Sequence, residues 1–200
     1  VKGGVGVSPS LGLFIGRFQP FHLGHAFIVQ EALKNVDFLL ILIGSATAPR
    51  SLKNPFSIEE RFALLEANLN FFLSRRDAKR VFVASVPDFE DDGSWKHAIS
   101  EILSPFLLAY GIQKKVLVGH DKDQSTYYLR IFKDFDLLLL KNFNQIDGTK
   151  IRNAYFELEG SPNDSKKEGW RKDCSLMTER FLEDFRKTVD WKTIIKGASS

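Results

Sequence analysis

Two rhythms of apolar residues alternate along this 200-residue chain. Short runs at Leu11–Ile15, Phe38–Ile43, Val81–Val86, Lys115–Val118 and Leu137–Leu140 are nearly continuous in apolar character. Runs of that length and continuity mark strands buried on both faces of a parallel sheet. Between them, apolar residues return every three or four positions, the spacing of one face of a helix. One such stretch runs from Leu23 to Asn35, with Val29, Leu33 and Val36 on its apolar side. A second is announced by Ser57-Ile58-Glu59-Glu60, a capping box in which Ser57 and Glu60 satisfy each other's backbone N–H groups. Ile58, Phe62, Leu65, Leu69 and Phe72 then trace its stripe. A third begins near Trp95 and ends before Gly111, with Pro105 bending or breaking it. Shorter helices are predicted around Tyr127–Phe132, from Gly148 through Leu158, and from Leu176 to Val189 with Leu176, Phe181, Leu182 and Phe185 for docking.

Strands alternating with helices imply right-handed crossovers. The predicted class is α/β: a Rossmann-like, doubly wound, parallel five-stranded sheet with a small C-terminal helical appendage. The polar segment from Gly160 to Lys172 reads as a linker or solvated turn. The expected organisation is a flexible arm over 1–12, one domain over 13–159, and linker plus final helix over 160–200. In such sheets ligands sit beyond the carboxyl ends of the strands, where the strand order switches. The turn after the first strand and the loops 44–55, 87–94 and 119–125 all follow strands. They are therefore expected to gather at one edge.

Composition adds bounds rather than detail. Hydrophobic residues make up 44% and charged residues 26%, ordinary for a globular domain, and a net charge of +3 is too small for a nucleic-acid-binding stripe. No apolar run approaches the length of a membrane span. Cys174 is the one cysteine, so no intramolecular disulfide forms, and this fits a reducing cytoplasm. No partner among nucleic acids or membranes is expected.

The chemistry concentrates at Gly16-Arg17-Phe18-Gln19-Pro20-Phe21-His22-Leu23-Gly24-His25, a strand end, a turn and a helix start. The first helical turn leaves N–H groups unpaired and carries partial positive charge, so it accepts an anion. His22 and His25, three apart, share a helix face, Gly24 leaves room for close approach, and Arg17 adds a cation. The spacing of the histidines also suits a metal pair, but no second cluster supplies the further ligands. Gly148-Thr149-Lys150-Ile151-Arg152 is a second helix start, with a hydroxyl and a guanidinium for phosphate oxygens or, equally, an ordinary capped helix. Trp95 reads as a core residue or as a ring to stack on a cationic heterocycle. Glu90-Asp91-Asp92 reads as a solvated run or as a substrate-orienting one. Arg50 and Lys53 compete for one phosphate-pairing role.

These residues carry a resemblance. Phe21-His22-Leu23-Gly24-His25 resembles the (T/H)xGH signature of the nucleotidyltransferase superfamily, and Gly148–Arg152 its second motif, with Gly148 where many members carry serine. The longer GRFQPFHLGH string is similar to nicotinamide-mononucleotide adenylyltransferases of the archaeal type. It is closer still to the amino-terminal domain of bifunctional adenylyltransferase/Nudix proteins. Lys53-Asn54-Pro55-Phe56 with Glu60-Arg61, the acidic loop ending in Trp95, and the run from Gly119 through Tyr128 match further stretches of that family.

The resemblance implies a nucleotidyltransferase fold and transfer of AMP from ATP to nicotinamide mononucleotide, giving NAD and pyrophosphate. It implies that His22, His25, Arg17 and Arg152 are catalytic and that Gly16, Phe18, Gly24, Gly119 and Thr149 join them around ATP. It assigns Gln19, Lys53, Asn54, Asp92 and Trp95 to the mononucleotide. Mg²⁺ is the implied cofactor, held mainly by substrate phosphates with no protein metal ligand, and the archaeal relatives suggest a homo-oligomer. The Nudix box of the bifunctional branch is absent from these residues, so that hydrolase activity is not expected. Two other readings stay open: transfer to a different phosphate acceptor, and a nucleotide-binding sensor without catalysis. Amide and acid forms of the mononucleotide are not distinguished.

Overall fold

A computed structural model of the chain describes residues 8–120, 131–141, 143–156 and 169–198. Five strands, β1 (Ser10–Gly16), β2 (Phe38–Ile43), β3 (Val81–Ser85), β4 (Lys114–His120) and β5 (Asp136–Leu140), form one sheet in the order β3-β2-β1-β4-β5. All neighbours pair in parallel. The order reverses at β1, whose two neighbours lead in opposite directions, and this creates the switch point at its carboxyl end.

Side chains of a strand alternate between faces, and here the alternation separates two cores. Phe14, Leu39, Ile41 and Ile43 pack beneath α1 (Leu23–Ala32) and α2 (Ile58–Phe72). Leu11, Leu13, Ile15, Leu40 and Leu42 face α4 (Asp92–Ala109) on the other side. A short α3 (Arg75–Ala78) precedes β3. Ser57 and Glu60 form the predicted capping box at the start of α2.

Several boundaries differ from the sequence reading. Helix α1 ends at Ala32, although Leu33 and Val36 remain buried beyond it. Helix α4 starts at Asp92 rather than Trp95, because the Asp91 carboxylate caps the N–H of Ser94 at 2.8 Å. It runs continuously through Pro105. The inward face of α2 is carried by Arg61, Leu64, Leu65, Asn68 and Leu69, whereas Ile58, Phe62 and Phe72 sit at its edge. The helix expected around Tyr127–Phe132, most of the 119–125 loop and residues 157–168 lie outside the described residues, apart from Gly119, His120, Ile131 and Phe132.

The final segment is a third core. Helices α5 (Gly148–Phe156), α6 (Leu176–Phe185) and α7 (Val189–Ala198) enclose Ile151, Tyr155, Trp170, Leu182, Phe185 and Trp191 together with Phe56. Trp170, within the stretch read as linker, is 2% exposed. The single final helix predicted to reach Val189 is two helices broken at 186–188. Aromatic volume explains the packing: Tyr155, Phe156 and Trp191 meet with ring centroids 4.6 to 4.9 Å apart.

Candidate functional site

The turn between β1 and α1 is built inward. Phe18 adopts a left-handed backbone, φ 51°, which costs an ordinary side chain about 1 kcal/mol. Its ring is 2% exposed and its burial offsets that cost. The ring lies so close to Gly16 that a Cβ there would sit 3.0 Å from its Cζ. Phe14, Phe18 and Phe21 surround the His25 imidazole with centroids at 6.1, 4.7 and 5.4 Å.

His22 stands at the N-cap of α1, 7% exposed, and its ring stacks on His25 at 3.6 Å. The His22 backbone N–H donates to Nδ1 of His25 at 3.3 Å. A neutral imidazole that accepts at Nδ1 carries its proton on Nε2. His25 thus presents an N–H donor away from the backbone. The open space at Gly24 is filled by the His22 ring itself, since a Cβ would meet its Cε1 and Nδ1 at 3.0 Å.

Arg152 is the fifth residue of α5 and is 6% exposed. Its Nη1 donates to the Gln19 carbonyl at 2.6 Å, and its Nη2 to Thr149 Oγ1 at 3.0 Å. Thr149 accepts that bond and retains its own proton for donation outward. Burial pulls the Arg152 guanidinium down from its ordinary value to about 10, the Arg17 cation adds to the pull, and Asp147 opposes it. A Cβ on Gly148 would lie 3.6 Å from both His22 Nε2 and Arg152 Nη1. The two motifs, more than a hundred residues apart, therefore meet at one place.

Arg61, which the sequence reading matched to a family stretch without giving it a role, is a buried tie beneath the site. It is 2% exposed and donates to the carbonyls of Arg17, Gly44, Ser45 and Ser57 at 2.7 to 3.3 Å. It ties the carboxyl ends of β1 and β2 to the start of α2. Burial and Arg17 both lower its pKa, so Arg17 stands beside two desolvated cations. The signal was present: Arg61 and Asn68 fall on the same helical face as Leu64 and Leu65, seven residues apart.

Of the loops expected at one edge, 44–55 and 87–94 come together beside the turn, while most of 119–125 lies outside the described residues. The Gly44 N–H bonds to Gly16 O at 2.9 Å, the Ala46 N–H to Val86 O at 3.1 Å, and Ser45 Oγ to Asp88 at 3.0 Å. Asn54 Oδ1 lies 3.5 Å from Arg17 Nη1, which brings the 50–56 loop to the turn. The Gln19 amide is clamped to Phe56, accepting from its N–H and donating to its carbonyl, both at 2.9 Å, so it braces that loop. Arg50 forms a two-pronged pair with Glu60 at 2.7 and 3.0 Å and a contact with Asp190 at 3.1 Å. Its hydrogen bond to Glu60 raises its pKa. Of the two competing cations, Lys53 is the exposed one.

Asp92 and Trp95 lie on the first turn of α4, at the same sheet edge but on the opposite face from α1. Asp92 is exposed, and the half-buried Trp95 ring stands 5.8 Å from that of Phe132. Gly119 is buried in β4 beside Leu139. Among the described residues no group of three or more His, Cys, Asp or Glu comes together as a metal cage. The donors that converge are N–H groups and cations, a set suited to phosphate oxygens.

Residues 13–154 match the cytidylyltransferase-like family. A nicotinamide/nicotinic acid mononucleotide adenylyltransferase of Acinetobacter baylyi is 34% identical over 146 residues, 72% of this chain and 74% of that protein. A nicotinamide-nucleotide adenylyltransferase of Archaeoglobus fulgidus is 31% identical, covering 73% of this chain and 80% of that one. Among solved structures, a bifunctional NMN adenylyltransferase/ADP ribose pyrophosphatase of Francisella tularensis, complexed with AMP and a manganese ion, superposes with a TM-score of 0.76 at 27% identity. That match covers 94% of this chain and 52% of the other, so the chain spans about half the length of the bifunctional protein. With its two helix starts meeting at the switch point of a parallel sheet, the chain belongs to the cytidylyltransferase-like family, among the nicotinamide-mononucleotide adenylyltransferases.

Proposed function

We propose that this chain transfers AMP from ATP to nicotinamide mononucleotide, releasing pyrophosphate and forming NAD. The observation that carries the reading is the meeting of His22, His25, Thr149 and Arg152 beside Arg17, a cluster of donors and cations at a strand-to-helix turn. A phosphate oxygen of the mononucleotide attacks the α-phosphorus of ATP, the bond to the bridging oxygen breaks, and pyrophosphate leaves with the electron pair. No side chain need act as a nucleophile; positioning and charge neutralisation carry the rate.

In that scheme the Nε2–H of His25 and the His22 ring border the reacting phosphate, and the N–H groups of α1 and α5 bind phosphate oxygens. Arg17 and Arg152 neutralise the charge that builds during transfer. A divalent cation, with Mg²⁺ as the specific proposal, would be held mainly by the ATP phosphates and would supply charge neutralisation there. Lys53, Asn54, Asp92 and Trp95, on loops at the same edge, are proposed to receive the mononucleotide, with Trp95 against its pyridinium ring. Gln19 would contribute there through the loop it braces.

The reading is tested by incubating the protein with ATP, Mg²⁺ and nicotinamide mononucleotide, with a parallel reaction holding the acid form, and separating products by chromatography. Appearance of NAD supports it, and the ratio of the two rates gives the preferred acceptor. Absence of either dinucleotide, from protein that binds ATP, rejects it in favour of another acceptor or a sensor.

A further inference from the structure

The peptide unit between Phe21 and His22 is held at both ends. Its N–H donates to His25 Nδ1 at 3.3 Å. Its carbonyl accepts from Thr178 Oγ1 at 3.1 Å, across 157 residues of chain. Thr178 belongs to α6 in the C-terminal segment and has no exposed surface. A hydroxyl has one proton, and here the network directs it. The Asn68 amide, itself fully buried, donates to Thr178 Oγ1 at 3.1 Å, and Ser175 Oγ donates to Asn68 Oδ1 while accepting the Thr178 backbone N–H. The Thr178 proton has two acceptors within reach, the Phe21 carbonyl at 3.1 Å and Asn68 Oδ1 at 3.4 Å; the second already accepts from Ser175, so the nearer carbonyl takes it.

A peptide unit is planar, so its C=O and N–H turn together. Fixing the carbonyl direction fixes the direction of the N–H on the opposite side. We infer that Thr178 is a positioning residue: through the Phe21–His22 peptide it aims the His22 N–H at His25 Nδ1 and so keeps the His25 proton on Nε2. The C-terminal helices thereby set the tautomer of an imidazole some 150 residues earlier in the chain. For the transfer reaction, on which this inference rests for its consequence, His25 must be a donor on the side facing the phosphate.

The experiment compares the whole chain with its Thr178→Val and Thr178→Ser forms. Valine keeps the shape and removes the hydroxyl; serine restores it. The first readout is the ¹⁵N spectrum of the histidine rings at about pH 8, where ordinary imidazoles are neutral. Wild type and Thr178→Ser are expected to show His25 protonated at Nε2, and Thr178→Val a mixture of both tautomers. The second readout is steady-state transfer, where kcat is expected to fall about tenfold in Thr178→Val, with KM for ATP within about twofold and recovery in Thr178→Ser. Should Thr178→Val not accumulate in folded form, Thr178→Cys, a weak donor of similar size, is expected to give an intermediate mixture. A folded Val or Cys variant with the wild-type tautomer overturns the inference, as does a kcat loss that serine leaves in place. If wild type forms no dinucleotide, the functional reading fails on its own, and the ring spectrum still decides the role of Thr178.

Discussion

Gly24 lies directly against the His22 imidazole, so close that a Cβ would stand 3.0 Å from ring atoms Cε1 and Nδ1. Few real Cβ contacts are that short, so the ring would have to give by a few tenths of an ångström, and stacked on His25 at 3.6 Å it has little freedom to do so. Gly24→Ala is expected to push His22 off its stack, with kcat falling at least tenfold while the fold persists. Gly148 provides the comparison, because a Cβ there meets ordinary contacts at 3.6 Å. Gly148→Ser should lose far less, and a kcat loss equal to that of Gly24→Ala would show that the His22 packing is not what matters.

His25 tests the charge-stabilising role. Loss of one preorganised donor costs an enzyme roughly 10²-fold in kcat. His25→Ala is expected to lower kcat by about that factor with KM for ATP changed less than about threefold. An unchanged kcat removes His25 from the reaction.

Arg152 is a buried cation whose described partners are a carbonyl and a hydroxyl, with Arg17 adding repulsion. Its folded pKa, about 10, lies below its unfolded one, so the native state bears the cost at every pH under about 10, where both states are protonated. Relief comes as pH rises through about 10 or, at neutral pH, from a bound polyanion. Arg152→Met sheds the cost along with two hydrogen bonds, so melting of the free protein should move by no more than about 4 °C. The rise in melting temperature produced by ATP should shrink by at least half. An undiminished ATP effect in Arg152→Met, followed by thermal denaturation, places the triphosphate elsewhere.

Arg61 should behave in the opposite way. Its planar fork reaches four carbonyls from three segments, a geometry that the single ammonium of lysine does not reproduce. Arg61→Lys is expected to cost about 2–4 kcal/mol in denaturant unfolding, several bonds to a charged donor being lost in a buried place. A change under about 0.5 kcal/mol, the usual scatter of surface substitutions, would show that the strand ends do not depend on it.

Much of this architecture was local in origin and hence legible. Runs such as Phe38–Ile43 read as buried strands because six residues is strand length and too short for a typical buried helix, and the Ser57 capping box is written in four consecutive residues. The turn between β1 and α1 was legible as a candidate site for the same reason, since strand end, glycines, histidines and helix start are contiguous. Arg61, Asn68 and Thr178 were not, because a polar residue on an apolar helix face declares a buried partner without naming it. Their partners are carbonyls and hydroxyls contributed by chain up to 157 residues away. The choice between Arg50 and Lys53 had the same character: only the approach of Glu60 and Asp190 occupies Arg50. The C-terminal helices, read as an appendage, brace the turn through Thr178 and the 50–56 loop through Phe56 and Arg50. Sequence thus determined where the strands, the helix starts and the candidate anion-binding groups lie, since these follow from neighbouring residues. The direction of each buried polar group was decided only in three dimensions, because a hydrogen bond is fixed by whichever partner folding brings within about 3 Å.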